Sequence, residues 1–199
     1  MVLEAKSKKY TSSLTYTIQN IVVKSSLNLE HDLNLNLIAS KINNTQYEKS
    51  RFPGLFIRYS HPKCVVIVFR TGKLILTGIK IFNDIDLIIE RLVLKLNEIL
   101  PVEIARKSMK TEVVNIVTTA NLYNEIDLNK ALLRLKNAVF DPEVFPGLIF
   151  KLFDPVRASF LIFSNGKIVL TGIREAKEIE SVLINLGRLL RKEGLFEKI

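Results

Sequence analysis

The sequence predicts an α+β protein built from two copies of one half-domain, and three observations carry the prediction. The first is a duplication: FPGLFIRYSHPKCVVIVFRTGKLILTGIK begins at Phe52 and FPGLIFKLFDPVRASFLIFSNGKIVLTGIR at Phe145. The offset is nearly constant, 93 from Phe52 to Phe145, 94 from Gly72 to Gly166 and from Thr77 to Thr171, and 95 from Asn20 to Asn115 where QNIVV faces VNIVT. The second is hairpin-spaced strand patterns in each copy, and the third is an amphipathic helix closing each copy. Two repeats of about ninety residues are too few and too long for a solenoid. Two half-domains facing each other across a pseudo-twofold axis suit a ligand with its own approximate twofold symmetry, and duplex DNA is one.

The elements follow in order. Residues 16–27 are rich in β-branched side chains and read as a strand. Residues 32–43 carry Leu33, Leu37, Ile38 and Ile42 at helical spacing, with Asp32 or Asn34 available as cap. Asn43-Asn44 ends that helix, and a short strand through Gln46 and Tyr47 leads to Phe52. Strands are expected at 55–59, 63–69 and 73–79, with His61-Pro62 and Thr71-Gly72 as turns. A helix over about 83–100, with Leu87, Ile88, Leu92, Leu94 and Leu96 among its apolar positions, closes the half. The second copy repeats the order: strand 111–122, helix 127–137, strands near 147–153, 157–163 and 167–173, and a helix over 175–194. The organisation is a polar basic tail at 1–14, a first repeat at 15–105 and a second at 106–199, with 101–109 as the connection.

Charge points to a polyanionic partner. The net charge is +9, and residues 1–100 hold 14 Lys and Arg against 8 Asp and Glu, while 101–199 hold 15 against 12. The plain alternative is a generic basic surface. A single cysteine, Cys64, excludes an internal disulfide, and with only His31 and His61 it cannot complete a four-ligand zinc site. No apolar run reaches a membrane span, and MVLEAKSKKYTSS lacks the apolar core of a signal peptide, so an intracellular chain is expected.

The strands pose a physical puzzle. Residues 64–69 (CVVIVF) and 160–163 (FLIF) are apolar at consecutive positions, so both sheet faces must be covered. Two helices per half cover one face only. Antiparallel hairpins with a leftover apolar face must meet something else, a ligand or, in the plain reading, a dimer partner or a second layer.

With these residues in hand, the chain resembles the TATA-box binding protein family, in its archaeal form, from about Thr15 to Leu195. The motif is QN-(I/M)-V, FPGL, a proline turn, an apolar strand ending in Phe, then SGK-like and TGAK-like sequences, all duplicated. The resemblance implies a saddle: two β-α-β4-α repeats, a curved antiparallel sheet of ten strands, and four helices on its convex back. It implies a general initiation factor that binds and bends a TATA box in the minor groove and recruits transcription factor B and, indirectly, RNA polymerase. No cofactor, metal or small-molecule substrate is implied, and no enzyme constellation is found. An archaeal member would sit on the nucleoid in the cytoplasm, a eukaryotic one in the nucleus.

The residue assignments follow from the family pattern and fit minor-groove chemistry. A·T pairs present only acceptors there, whereas guanine adds a protruding amino group. Asn20, Asn115, Thr77 and Thr171 are the candidate central donors, and Val22, Ile67, Ile75, Val117, Leu161 and Val169 share their face as an apolar floor. Taken singly, each aliphatic is ordinary core. Phe52 with Phe69, and Phe145 with Phe163, match the rings that wedge between base steps. Phe153 and Phe160 add aromatic bulk nearby. Arg58 and Lys73, with Lys151 and Lys167, match phosphate contacts, and Lys63, Arg70, Lys80, Arg157 and Arg174 are further candidates.

Asp141, Glu143 and Val144 stand where the family recruits transcription factor B, whereas the first repeat has YEKSRF there. The strong basic balance and two departures from the family pattern suggest an alternative, a divergent paralogue acting as a regulator mainly through protein contacts with weak DNA binding. Val114 replaces the usual Gln, and one extra residue lies between Pro155 and Phe163. A longer loop there is expected to displace Phe163, so that the second ring pair inserts less well than the first.

Overall fold

The computed structural model describes residues 15–197. The basic tail assigned to 1–14 lies outside the described residues, as do the last two residues of the second repeat.

Each half runs strand, short helix, four strands, long helix. The first half is β1 (Tyr16–Ser26), α1 (Leu35–Lys41), β2 (Thr45–Gln46), β3 (Gly54–Ser60), β4 (Lys63–Phe69), β5 (Lys73–Ile79) and α2 (Asp84–Ile99). The second is β6 (Thr111–Asn121), α3 (Leu128–Arg134), β7 (Ala138–Val139), β8 (Leu148–Leu152), β9 (Ala158–Ile162), β10 (Lys167–Ile173) and α4 (Glu178–Lys192). A 3₁₀ turn at Arg106–Ser108, absent from the sequence expectation, lies in the connection.

The helices start and stop for local reasons. The Asn34 side chain accepts from the Leu37 N–H at 3.1 Å, so Asn34 and not Asp32 caps α1. Asp32 pairs instead with Arg70. Asp127 caps α3 in the same way, accepting from Lys130 N–H at 2.9 Å. Both short helices are trimmed relative to expectation because Ile42 and Leu135 are already extended. The long helices carry no side-chain cap, but Asp84 and Asp86, and Glu178 and Glu180, place negative charge in their first turns.

All ten strands form one antiparallel sheet in the order β2-β3-β4-β5-β1-β6-β10-β9-β8-β7. The order reads the same from either end once each strand is exchanged for its repeat mate, and β1 against β6 is the seam. Alternation along the strands resolves the puzzle of the apolar runs. Cys64, Val66 and Val68 are buried under the helices, while Val65, Ile67 and Phe69 are half-buried on the opposite face. One layer of helices covers one face, and the other lies open.

Each half has its own core. Ile38, Ile88, Ile89, Leu92 and Leu96 close over the first sheet half, and Ile179, Leu183, Leu186 and Leu190 over the second. Ile18, Phe82 and Val113 touch both cores and join them. Leu87 and Leu94, read as apolar positions of α2, are exposed, because Ile85 and Val93 take the inward face instead. Phe160 is also relocated. It is fully buried under the helices, its ring stacked on Phe150 at 5.9 Å, and contributes nothing to the open face.

Candidate nucleic-acid interface

Register assembles the open face. In the first half, Arg58 lies opposite Val65 and Val65 opposite Thr77, while Phe56 lies opposite Ile67 and Ile67 opposite Ile75. In the second half, Lys151 lies opposite Ser159 and Ser159 opposite Thr171, while Ile149, Leu161 and Val169 form the matching row. Across the seam, Asn20 faces Val117 and Val22 faces Asn115. The predicted aliphatics Val22, Ile67, Ile75, Val117, Leu161 and Val169 are therefore one half-buried surface, which continues into the phenylalanines at either end.

The two asparagines are held in one orientation. Asn20 Oδ1 accepts from the Gly78 N–H at 2.7 Å, and Asn115 Oδ1 accepts from the Gly172 N–H at 2.7 Å. Each oxygen is thus occupied by the sheet, and each amide nitrogen remains as the group to present. Gly78 and Gly172 reach this geometry at φ +82° and +94°, a region open to glycine and strained for other residues. The threonines complete the cluster: the Thr171 hydroxyl donates to Asn115 Oδ1 at 3.1 Å, and Asn20 Nδ2 donates to Thr77 Oγ1 at 3.2 Å. The donors left at the centre of the apolar floor are the Asn115 amide and the second N–H of the Asn20 amide, since the Thr171 hydroxyl proton is spent on Asn115 Oδ1.

The ring pairs are matched. Phe52 and Phe69 have centroids 5.9 Å apart with planes at 58°, and Phe145 and Phe163 are 5.9 Å apart at 63°. The extra residue between Pro155 and Phe163 is absorbed in the loop between β8 and β9, which spans 153–157 where the β3–β4 turn has only His61 and Pro62. Leu148 pairs with Ile162 as Leu55 pairs with Val68, so Phe163 keeps the place of Phe69. The expected displacement of the second ring pair is thereby corrected: loops absorb insertions at less cost than paired strands do.

The sequence reading passed over the glycines of FPGL. A Cβ on Gly54 would lie 2.6 Å from the Phe52 ring and 2.7 Å from Ile67, and one on Gly147 would lie 2.8 Å from the Phe145 ring and 3.1 Å from the Phe163 ring. Glycine is what lets the rings lie down on the sheet. Phe56 was also missed: its ring is 5.1 Å from Phe52, with the Arg58 guanidinium 5.9 Å above it. The period-two rule applied to β3 would have found it.

Arg58, Lys73, Lys151 and Lys167 are exposed around this face. Arg70 is committed to Asp32, Lys80 donates to Gln19 Oε1 at 3.3 Å, and Arg174 lies 3.8 Å from Glu112. Lys63 and Arg157 sit exposed at hairpin ends. Asp141, Glu143 and Val144 form an exposed turn closed by Phe145 N–H donating to the Asp141 carbonyl at 2.9 Å, with Val144 82% exposed. The matching first-half turn is closed by Phe52 N–H on the Glu48 carbonyl and carries an Arg51–Glu48 ion pair.

The model of the family described as transcription factor TFIID, or TATA-binding protein, matches residues 15–99 and 110–193. The chain belongs to the TATA-box-binding protein family. A TATA-box-binding protein of Aeropyrum pernix is 38% identical over 88% of this chain and 84% of its own length. One from Thermoplasma acidophilum is 38% identical over 90% and 96% respectively. The solved structure of the Methanococcus jannaschii TBP superposes with a TM-score of 0.79 at 29% identity, covering 89% of this chain and 98% of that one. These relatives are archaeal, the fold is the family's saddle, and the family is one of transcription factors rather than enzymes. No helix among the described residues is long and apolar enough to cross a membrane.

Proposed function

We propose that this chain is a TATA-binding-protein-type initiation factor that binds A·T-rich duplex DNA in the minor groove as a monomer and kinks it. The observation that carries the reading is the fixed orientation of Asn20 and Asn115, whose oxygens are held by Gly78 and Gly172. Amide N–H groups face a groove edge that offers acceptors, and the surrounding aliphatic floor leaves the guanine amino group without a partner. Phe52 with Phe69 and Phe145 with Phe163 wedge the two ends, exchanging base stacking for a bent duplex that meets more protein. Arg58, Lys73, Lys151 and Lys167 hold the phosphates.

The turn with Asp141, Glu143 and Val144 recruits transcription factor B, and RNA polymerase follows through that partner. The protein acts on the nucleoid in the cytoplasm. The repeats comprise 15–105 and 106–199, each supplying one half of the DNA surface. Equal ring separations in the two halves favour the DNA-binding factor over a paralogue that acts mainly through protein contacts and binds DNA weakly.

A gel shift with fluorescence end-to-end distances on a TATA duplex, with and without transcription factor B, tests this. Saturable binding with shortened end-to-end distance, lost on a G·C-rich duplex, is expected. Unchanged distance at saturation removes the bending claim. Equal affinity for both duplexes removes the groove-reading claim. Glu143→Lys is expected to abolish the gain from transcription factor B while leaving binding of the protein alone unchanged.

A further inference from the structure

Two hollows on the open face are mates under the pseudo-twofold axis, and they differ in chemistry. One, about 870 Å³, is lined by Phe69, Lys73, Ile75, Lys24, Lys110 and Glu112 among others. The other, about 440 Å³, has Phe163, Lys167, Val169, Thr119, Thr15 and Thr17 in the matching places. Lys24 lies directly opposite Glu112 across the β1–β6 seam and opposite Ile75 on β5, so the pair belongs to the open face. Its mates are Thr119 and Thr17, themselves directly opposite each other. Lys24 Nζ stands 2.9 Å from Glu112 Oε2, and Arg174 stands 3.8 Å from the other carboxylate oxygen. One hollow beside a wedge ring therefore carries an ion pair, and the other carries two hydroxyls.

A carboxylate on a surface that otherwise greets polyanionic DNA is costly unless it meets a donor. A carboxylate has about four acceptor sites, and the two cations leave some of these free on a side chain that is 51% exposed. The Lys24 hydrogen bond, with its charge and that of Arg174, holds the Glu112 carboxyl below the usual carboxylate range, so it stays an acceptor. In the minor groove the donor among base edges is the guanine amino group. We propose that Glu112, positioned by Lys24, accepts one guanine amino group, so that the hollow beside Phe69 admits a G·C pair that the hollow beside Phe163 rejects. The inference rests on the minor-groove reading above and makes the saddle directional: a single G·C pair on one side of an A·T-rich element selects which half of the protein lies over it.

The test uses the whole chain and a palindromic A·T-rich duplex carrying G·C at one position, on one side or on both sides, scanned along the element. For the wild type, one position is expected where a single substitution costs about twofold, the loss of one of two equivalent orientations, while the double substitution costs about tenfold or more. In Glu112→Thr, which copies Thr17 of the other hollow, the single substitution alone is expected to cost about tenfold. Inosine·cytosine pairs, which lack the amino group, should not distinguish Glu112→Thr from wild type. A wild type whose single and double substitutions cost equal factors per pair overturns the proposal. So does a Glu112→Thr variant with the wild-type profile. Normal binding of the unsubstituted duplex with a flat scan removes this inference alone, whereas no binding of that duplex removes the minor-groove reading with it.

Discussion

The two halves of the molecule share a frame and differ in what they hang on it. Backbone features repeat: the glycine N–H on each asparagine oxygen is 2.7 Å away in both, and the ring pairs are 5.9 Å apart in both. Side chains diverge. The first half adds a third ring, Phe56, where the second has Ile149. Gln19 bridges to Thr119 at 2.9 Å and to Lys80, while its mate Val114 can make no such bond. The second half alone has the acidic turn with exposed Val144. The duplicated sheet fixes where a group can act, and single substitutions then assign different work to each end.

The ring pairs offer the largest test of that division. Phe145→Ala or Phe163→Ala should weaken binding to an A·T-rich duplex by about ten- to a hundredfold, 1.4 kcal/mol per tenfold, because an unstacked step loses the ring that fills it. Phe69→Ala should match Phe163→Ala. Phe52→Ala should cost less than Phe145→Ala, since Phe56 lies 5.1 Å away and can shift into the vacancy. Dissociation rates and end-to-end distances read the comparison, and an equal loss for Phe52→Ala and Phe145→Ala breaks it.

The central amides come next. Asn20→Ala and Asn115→Ala should each lower the preference for A·T over G·C duplexes by about tenfold, within the usual 1–3 kcal/mol for a good base contact. The Asn115 change should be the more severe, because among the described residues its amide nitrogen has no partner like the Thr77 hydroxyl that accepts from Asn20 at 3.2 Å. Competition binding against both duplexes measures this. If discrimination survives both changes, the aliphatic floor alone reads the groove.

Much of this surface was legible in the sequence because duplication supplies a second reading of every position. The strands and the open apolar face follow from period-two alternation applied twice, the helices from their own apolar spacing, and the roles of the Asn and Thr residues from the family resemblance. The hidden features are relational. That Gly54 makes room for Phe52, or that Lys24 meets Glu112 across the seam, depends on register between distant strands, and register is not written in either segment alone. The effect of the extra loop residue was equally invisible, since its fate is decided by where strand pairing resumes.

Phosphate contacts should separate the halves more gently. Lys73→Ala and Lys167→Ala should each lower the salt slope of log affinity by about one unit. At fixed moderate salt, affinity should fall less for Lys73→Ala, because Lys24 and Lys110 line the same hollow, whereas Thr119 and Thr15 stand there in the second half. Binding isotherms across a salt series give both numbers. Unchanged slopes in both variants would place these lysines outside the interface.

The smallest expected effect concerns stability and belongs to the first half alone. Burial pushes the Cys64 thiol from 9.0 up to about 11, aided by Asp84, and pushes the Tyr59 phenol from 10.0 up to about 12, aided by Cys64. The two face each other on β3 and β4, and their mates are Leu152 and Ala158, which do not titrate. Both groups are held neutral in the folded state, so their contribution is complete below the unfolded values. It is lost as pH rises past 9.0 toward the folded values, because the unfolded chain ionises first. Melting temperature should therefore fall from about pH 8 to about pH 11 more steeply in the wild type than in Cys64→Ala, which copies the second half. The variant should be less stable at neutral pH, where it leaves a small void, and the gap should narrow on the alkaline side. Parallel melting curves for the two proteins across that range would show that the Cys64 thiol is not the source of the alkaline weakness.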